Sequence, residues 1–259
     1  MSAIMTRMIQ AAMLIATLTV ASPAFAQDEG PTYGPGNGVT LSASATAASD
    51  YRYRGLSRSE GDPVIQGQAY VELPGGLYGG VFGSTLGGSD QGAGDIEIDL
   101  IAGYNGAIAS GVNIDVGATY FTFNGNGAPH SIDGLGDLGS YVEPYAALSY
   151  TLGPVQAKVG AAYAPKQDSI GGDNLYLYGQ ASAGVPMTPL TINAKFGRSE
   201  GSLAPGAGSY TDWSVGADYV LGPLTLGAKY VDTSLAQTGV KAVDRLYDPS
   251  VVVSATIGF

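Results

Sequence analysis

The sequence predicts an all-β transmembrane antiparallel barrel of about 12 strands, preceded by a cleaved signal peptide. Three observations predict it: segments of about ten residues that alternate apolar and polar, connections that alternate short and long, and aromatic residues gathered at the ends of the apolar faces.

The first residues read as an export signal. Met1 to Arg7 carry one positive charge, Met8 to Val20 are almost wholly apolar, and Ala24-Phe25-Ala26 supplies the small-x-small cleavage pattern. The expected organisation is therefore a signal peptide over 1–26, a short periplasmic segment over 27–37 and the barrel over 38–259. Cysteine is absent, which excludes a disulfide framework and thiolate metal sites. Past the signal, no apolar run reaches the roughly 20 residues a membrane helix needs. The formal charge of −11 argues against nucleic acid, whose binding requires clustered Lys and Arg.

Strands are expected over 39–53, 63–73, 76–85, 95–105, 111–123, 140–151, 154–164, 174–185, 189–198, 210–221, 223–233 and 250–259, separated by Gly, Pro, Asp and Asn clusters. Five links are tight (Pro74-Gly75-Gly76, 107–110, Gly153-Pro154, 186–189, Gly222-Pro223) and six are long (54–62, 86–94, 124–139, 165–173, 199–209, 234–249). Both ends of the barrel then lie on the short-turn side. Short turns face the periplasm and long loops face outward from the cell.

Period two assigns the faces. Ile96, Ile98, Leu100, Ala102 and Tyr104 oppose Asp95, Glu97, Asp99 and Gly103. Val112, Ile114, Val116, Ala118 and Tyr120 oppose Asn113, Asp115 and Thr119. Leu190, Ile192, Ala194 and Phe196 oppose Thr191, Asn193 and Lys195, and Leu224, Leu226, Ala228 and Tyr230 oppose Thr225 and Lys229. The Gly-rich segment around Tyr78 and Phe82 declares no face.

A soluble β-sandwich also alternates, but it would bury its aromatic residues in mid-strand. Here Tyr51, Tyr53, Tyr120, Tyr163, Phe196, Trp213 and Tyr230 fall at loop-side ends, and Tyr104, Tyr150, Tyr219 and Phe259 at turn-side ends. Two girdles at headgroup depth are the expectation. Val251, Val253, Ala255, Ile257 and Phe259 share one parity and end on an aromatic residue. This resembles the terminal-strand signal of outer-membrane proteins inserted by the barrel-assembly machinery.

The stretch Ser49-Asp50-Tyr51-Arg52-Tyr53-Arg54-Gly55-Leu56-Ser57, with Asp62-Pro63 and Gln66-Gly67, resembles the opening of the TorF family of proteobacterial porins. Leu77-Tyr78-Gly79-Gly80, Ile96 to Tyr104, Tyr141-Val142-Glu143-Pro144-Tyr145, Asp212-Trp213 and Tyr230-Val231-Asp232-Thr233 resemble its later blocks. Departures are Phe82, where the family pattern leads one to expect tryptophan, and a Gly- and Ala-richer composition. The resemblance implies a Gram-negative outer-membrane location and a pore, with no defined solute.

With the polar parity inward, Glu97, Asp99, Asp115 and Glu143 form an acidic arc faced by Lys158, Lys195 and Lys229, with Arg52 and Arg54 inward near the loop-side end of the first strand. Opposed charged walls set up a transverse field that orients dipolar solutes and filters ions. The expected function is passive diffusion of small hydrophilic solutes through this lumen, with loop 124–139 a candidate constriction. The alternatives are a closed structural barrel filled by ion pairs and a surface-interaction or adhesion barrel.

An enzyme is the least supported reading. His130 is the lone histidine and lies in a loop without a serine partner on an adjacent strand face. Loop acids Asp90, Asp95, Asp133, Asp137, Asp168 and Asp173 lack calcium-loop spacing, so neither metal nor cofactor is expected. The repeated Arg-Ser-Glu-Gly at 58–61 and 198–201 has no wider repeat around it. Expected partners are outer-membrane lipid and lipopolysaccharide, the assembly machinery during insertion, and the solutes.

Overall fold

The computed structural model describes residues 38–86, 96–124, 139–206 and 208–259. Twelve strands close into an antiparallel barrel: β1 (Thr40–Ala48), β4 (Val64–Glu72), β5 (Leu77–Thr85), β6 (Ile96–Ala109), β7 (Val112–Asn124), β8 (Tyr141–Leu152), β9 (Val155–Gln167), β10 (Gly172–Gly184), β11 (Leu190–Gly201), β12 (Ser209–Leu221), β13 (Leu224–Thr233) and β14 (Ser250–Gly258). Two short strands, β2 (Arg52–Tyr53) and β3 (Leu56–Ser57), pair only with each other. Each barrel strand pairs with its sequence neighbour, and β1 joins β14 at the seam, where Phe259 donates its N–H to the carbonyl of Ala43 at 2.9 Å. Among the described residues the barrel sheet has no unpaired edge, the condition for crossing lipid with strands.

Period two divides the wall as the sequence implies. Leu100, Leu148, Val159, Ile192, Phe196 and Val253 are exposed on the outer surface, whereas Glu97, Asp99, Asp115, Glu143 and Asn193 are buried inside. An apolar exterior around a polar interior inverts the arrangement of a soluble protein and matches a lipid surround.

The many glycines have a specific use. Glycine weakens a strand because it offers no side chain to pack, yet several inward glycines lie beneath an inward tyrosine of the adjacent strand. Tyr70 covers Gly80, Tyr78 covers Gly103, Tyr145 covers Gly117 and Tyr178 covers Gly160, each pair in direct register. A Cβ on Gly103 would sit 2.6 Å from the Tyr78 hydroxyl and 2.8 Å from the Val116 carbonyl oxygen. The missing side chain thus makes room for a ring lying flat along the wall. Tyr78 also donates to Asp115 at 2.7 Å and its hydroxyl meets that of Tyr145, which ties β5, β7 and β8 together.

One expected element is different. The sequence predicts a first strand that runs to residue 53 and an external loop over 54–62. In the structure β1 ends at Ala48, and the chain turns into the barrel. The expected constriction loop 124–139 lies almost wholly outside the described residues, as do the signal peptide, His130, Asp90, Asp95, Asp133 and Asp137.

Candidate functional site

The outer half of the lumen is occupied by the β2–β3 hairpin. Arg54 and Gly55 form its two-residue turn with φ of 51° and 83°, the left-handed pair that matches the twist of a tight hairpin. A Cβ at position 55 would lie 2.6 Å from Thr233 Cγ2 and 2.8 Å from Asp212 Cβ, so the turn can approach the wall this closely only with glycine. Asp50 organises the base of the hairpin: its carboxylate accepts from Ser57 Oγ at 2.6 Å, Ser59 Oγ at 2.9 Å and Arg52 Nε at 2.5 Å. Arg52 donates onward to the carbonyls of Gly55 and Asp248, at 3.2 and 3.1 Å.

Two wall sockets receive the arginines that follow. Arg54 Nη2 lies 2.5 Å from Glu143 Oε1 on β8, and its guanidinium carbon stands 4.2 Å above the Tyr176 ring of β10. Its carbonyl accepts from Tyr210 of β12 at 2.9 Å. Arg58 pairs with Glu97 of β6, donates to the Tyr141 hydroxyl at 3.4 Å, and lies 5.5 and 5.6 Å from the rings of Phe121 and Phe123. Between the arginines, Tyr51 and Tyr53 pack against Phe82, Phe121 and Tyr141 in an apolar cluster inside the barrel mouth.

This placement corrects two sequence assignments. Tyr51 and Tyr53 are 2% and 8% exposed and belong to the lumen filling, not to the girdle at the lipid interface. The alternation of 50–54 is genuine, but it belongs to a strand of the hairpin, so its parity says nothing about the barrel wall. Of the other residues expected in the girdles, Tyr150, Tyr219 and Phe259 lie near strand ends, whereas Tyr104, Tyr120, Tyr163, Phe196 and Trp213 lie further inside strands that extend beyond the expected bounds; all eight are exposed, and Tyr230 packs against Trp213 with ring centroids 5.2 Å apart.

Of the residues expected to line the lumen, Arg52 and Arg54 are inside but on the hairpin, and both are paired. Glu97, Asp99, Asp115 and Glu143 face inward, as do Lys158, Lys195 and Lys229. Lys158 reaches Asp115 at 3.9 Å, and Lys195 lies 5.2 and 5.4 Å from the rings of Tyr176 and Tyr178. The expected separation into one acidic and one basic wall does not hold, because Asp212 and Asp218 of β12 are buried between the strands that carry Lys195 and Lys229. Sequence reasoning missed both, although Trp213, Val215 and Tyr219 on the opposite parity of β12 mark them as inward. Arg58, in a stretch the sequence predicts as an external loop, is a further inward residue.

Space remains below the hairpin. A cleft of about 440 Å³, including its open mouth, is lined by Gln66, Asn193, Asp218 and Lys229, with Asp50 and Arg52 at its upper side. A second, of about 270 Å³, is lined by Gln156, Lys158, Gln180, Ser182 and Lys195. Asn193 borders both, and its amide donates to Asp218 at 2.6 Å. Below the hairpin the lumen thus keeps polar space in two neighbouring clefts.

Comparison with solved structures finds the same fold at low identity. The KdgM porin aligns with a TM-score of 0.54 and 8% identity over 84% of this chain and 98% of that one. The NanC porin aligns at 0.51 and 12% over 85% and 98%. The COG4313 outer membrane channel from Pseudomonas putida F1 aligns at 0.51 and 12% over 90% and 99%. No curated protein matches the sequence. Residues 32–259 match the family described as "Bacterial protein of unknown function (Gcw_chp)", which spans the whole barrel, and the chain belongs to that family.

Proposed function

We propose that the protein is an outer-membrane, porin-like channel for passive diffusion of small hydrophilic solutes. The observation that carries this reading is the closed 12-strand wall, apolar outside and charged inside, around polar clefts. The likeness to the KdgM and NanC porins supports the same fold-level reading. Outer-membrane lipid and lipopolysaccharide surround the barrel, the barrel-assembly machinery inserts it, and no catalytic role is assigned. Purified protein in a planar bilayer tests the proposal: discrete conductance steps and swelling of liposomes in sugar solution are expected. Their absence, from protein shown to be folded, sinks it.

A second reading has its own support. The hairpin fills the outer lumen with buried ion pairs and stacked rings, which is how a closed structural barrel would be built. Persistent silence in the bilayer, even after shortening the 49–63 segment, favours that reading. A lost surface phenotype with unchanged conductance favours adhesion through the loops.

A further inference from the structure

We propose that the outer half of the lumen is a recognition site for organic cations bearing a guanidinium or amine group, and that the β2–β3 hairpin occupies it as an internal ligand. The proposal rests on the channel reading and names the solute class that reading leaves open.

The wall supplies a carboxylate and rings to both sockets, and the hairpin's own Tyr53 ring adds to each, 4.7 Å from the Arg54 guanidinium carbon and 3.8 Å from that of Arg58. Glu143 with Tyr176 forms one, and Glu97 with Phe121, Phe123 and the Tyr141 hydroxyl forms the other. A carboxylate beside aromatic faces in a desolvated setting is the combination that selects a delocalised cation over a small, strongly hydrated one. Each socket holds a guanidinium now, so the geometry of binding is on display.

Charge points the same way. The six buried wall acids Glu97, Asp99, Asp115, Glu143, Asp212 and Asp218 outnumber the three inward lysines Lys158, Lys195 and Lys229, a formal balance of −6 + 3 = −3 for these nine side chains. The hairpin's Arg54 and Arg58 offset most of it. With the hairpin withdrawn, the outer lumen is an anionic, ring-lined funnel that concentrates cations.

The hairpin fits its sockets incompletely. Arg54 Nε and Nη1, Glu143 Oε2 and Asp212 Oδ2 are buried without a hydrogen-bond partner among the described residues, and Arg54 itself sits at positive φ. Each feature raises the energy of the docked state. A free cation, unconstrained by the turn, pairs with the same carboxylates without that strain. Competition for the sockets then couples solute arrival to release of the hairpin, since a ligand that binds the undocked form shifts the equilibrium toward it.

The test uses the absence of cysteine. In full-length Ser57→Cys protein, folded in lipid vesicles, the thiol sits where the buried Ser57 hydroxyl now meets Asp50. Labelling by a membrane-impermeant maleimide is expected to be slow, and to accelerate saturably by about tenfold with millimolar agmatine. Galacturonate or a neutral sugar at the same concentration leaves the rate unchanged. With Glu97→Gln and Glu143→Gln added, labelling is fast from the start and insensitive to agmatine. In bilayers, Arg54→Ala/Arg58→Ala raises the conductance, and agmatine reduces its potassium current. Labelling that ignores agmatine, or responds equally to galacturonate, overturns the inference. If the unmodified protein still conducts in that case, the channel reading survives; if neither it nor the double-arginine variant conducts, the channel reading falls on its own.

Discussion

Arg54 and Glu143, 89 positions apart in sequence, meet at 2.5 Å inside the barrel with side chains 3% and 5% exposed. Removing one partner of a buried pair typically costs about 3–5 kcal/mol, because a charge is stranded away from water. The wall cannot escape that cost, but the hairpin can, by leaving the lumen. Glu143→Gln is therefore expected to expose Arg52, Arg54 and Arg58 to trypsin roughly a hundredfold faster, since cleavage follows the open population. The barrel's own unfolding midpoint should barely move. An unchanged cleavage rate would show that ring packing around Tyr53 holds the hairpin without the ion pair.

The glycine beneath Tyr78 makes a separate prediction. Gly103→Ala puts a methyl 2.6 Å from the Tyr78 hydroxyl and against backbone of β7, so either the ring or the strand must shift. A loss of about 1–3 kcal/mol is expected in urea unfolding from lipid. Gly179→Ala, whose Cβ meets Val159 Cγ1 at an ordinary 3.9 Å, serves as the control and should change stability by less than about 0.5 kcal/mol. Equal effects from the two would mean that strand propensity, not the ring, sets the need for glycine.

Lys195 and Lys229 face the lumen below the hairpin, on strands that flank the β12 acids Asp212 and Asp218. Replacing both by Glu changes the local formal charge by −4, and the reversal potential in a salt gradient should shift toward cation selectivity. No shift would place these lysines away from the conducting path.

Asp244, in the loop between β13 and β14, accepts from the Thr238 N–H at 2.7 Å, the Thr238 hydroxyl at 2.8 Å, the Gly239 N–H at 3.0 Å and the Tyr247 hydroxyl at 3.0 Å. Foremost the Thr238 N–H, with the other donors behind it, holds the carboxyl below its ordinary value of 3.8. A depressed folded value means that this loop's order is fully present above the ordinary value and is lost as pH falls through the depressed one. Hydrogen exchange at 238–248 should accelerate as pH is lowered below about 4, after correction for intrinsic rates. Asp244→Asn should flatten that dependence. The same loop contacts the hairpin through Arg245 to Glu60 and through the Leu246 carbonyl to the Ser57 N–H, so loosening there reaches the hairpin itself.

The wall was legible in the sequence because it obeys one rule. Every wall strand faces lipid on one side and lumen on the other, so Ile96, Ile98 and Leu100 against Glu97 and Asp99 announce both the strand and its orientation. β5 was silent because glycine occupies both faces: Gly80 inward beneath Tyr70, and Gly79 and Gly83 outward. The hairpin was misread for a different reason. Tyr51, Arg52, Tyr53 and Arg54 alternate as a wall strand would, and period two cannot distinguish a strand in the wall from one folded inside it. The pairing of Arg54 with Glu143 and Arg58 with Glu97 was beyond sequence patterning, since it depends on where a turn points in three dimensions.

The seam between β1 and β14 joins residues such as Thr46 and Thr256, whose hydroxyls meet at 2.8 Å across 210 positions of sequence. Every other wall pairing links consecutive wall strands, so the seam bears the greatest loop-closure entropy. The hairpin hangs directly from the seam strand, while the carboxylates it seeks are on β6 and β8 across the sheet. Arg54 and Arg58 therefore tether the seam strand to β6 and β8 from inside the barrel. The segment that obstructs the passage is also a strut between the closing edge and the opposite wall.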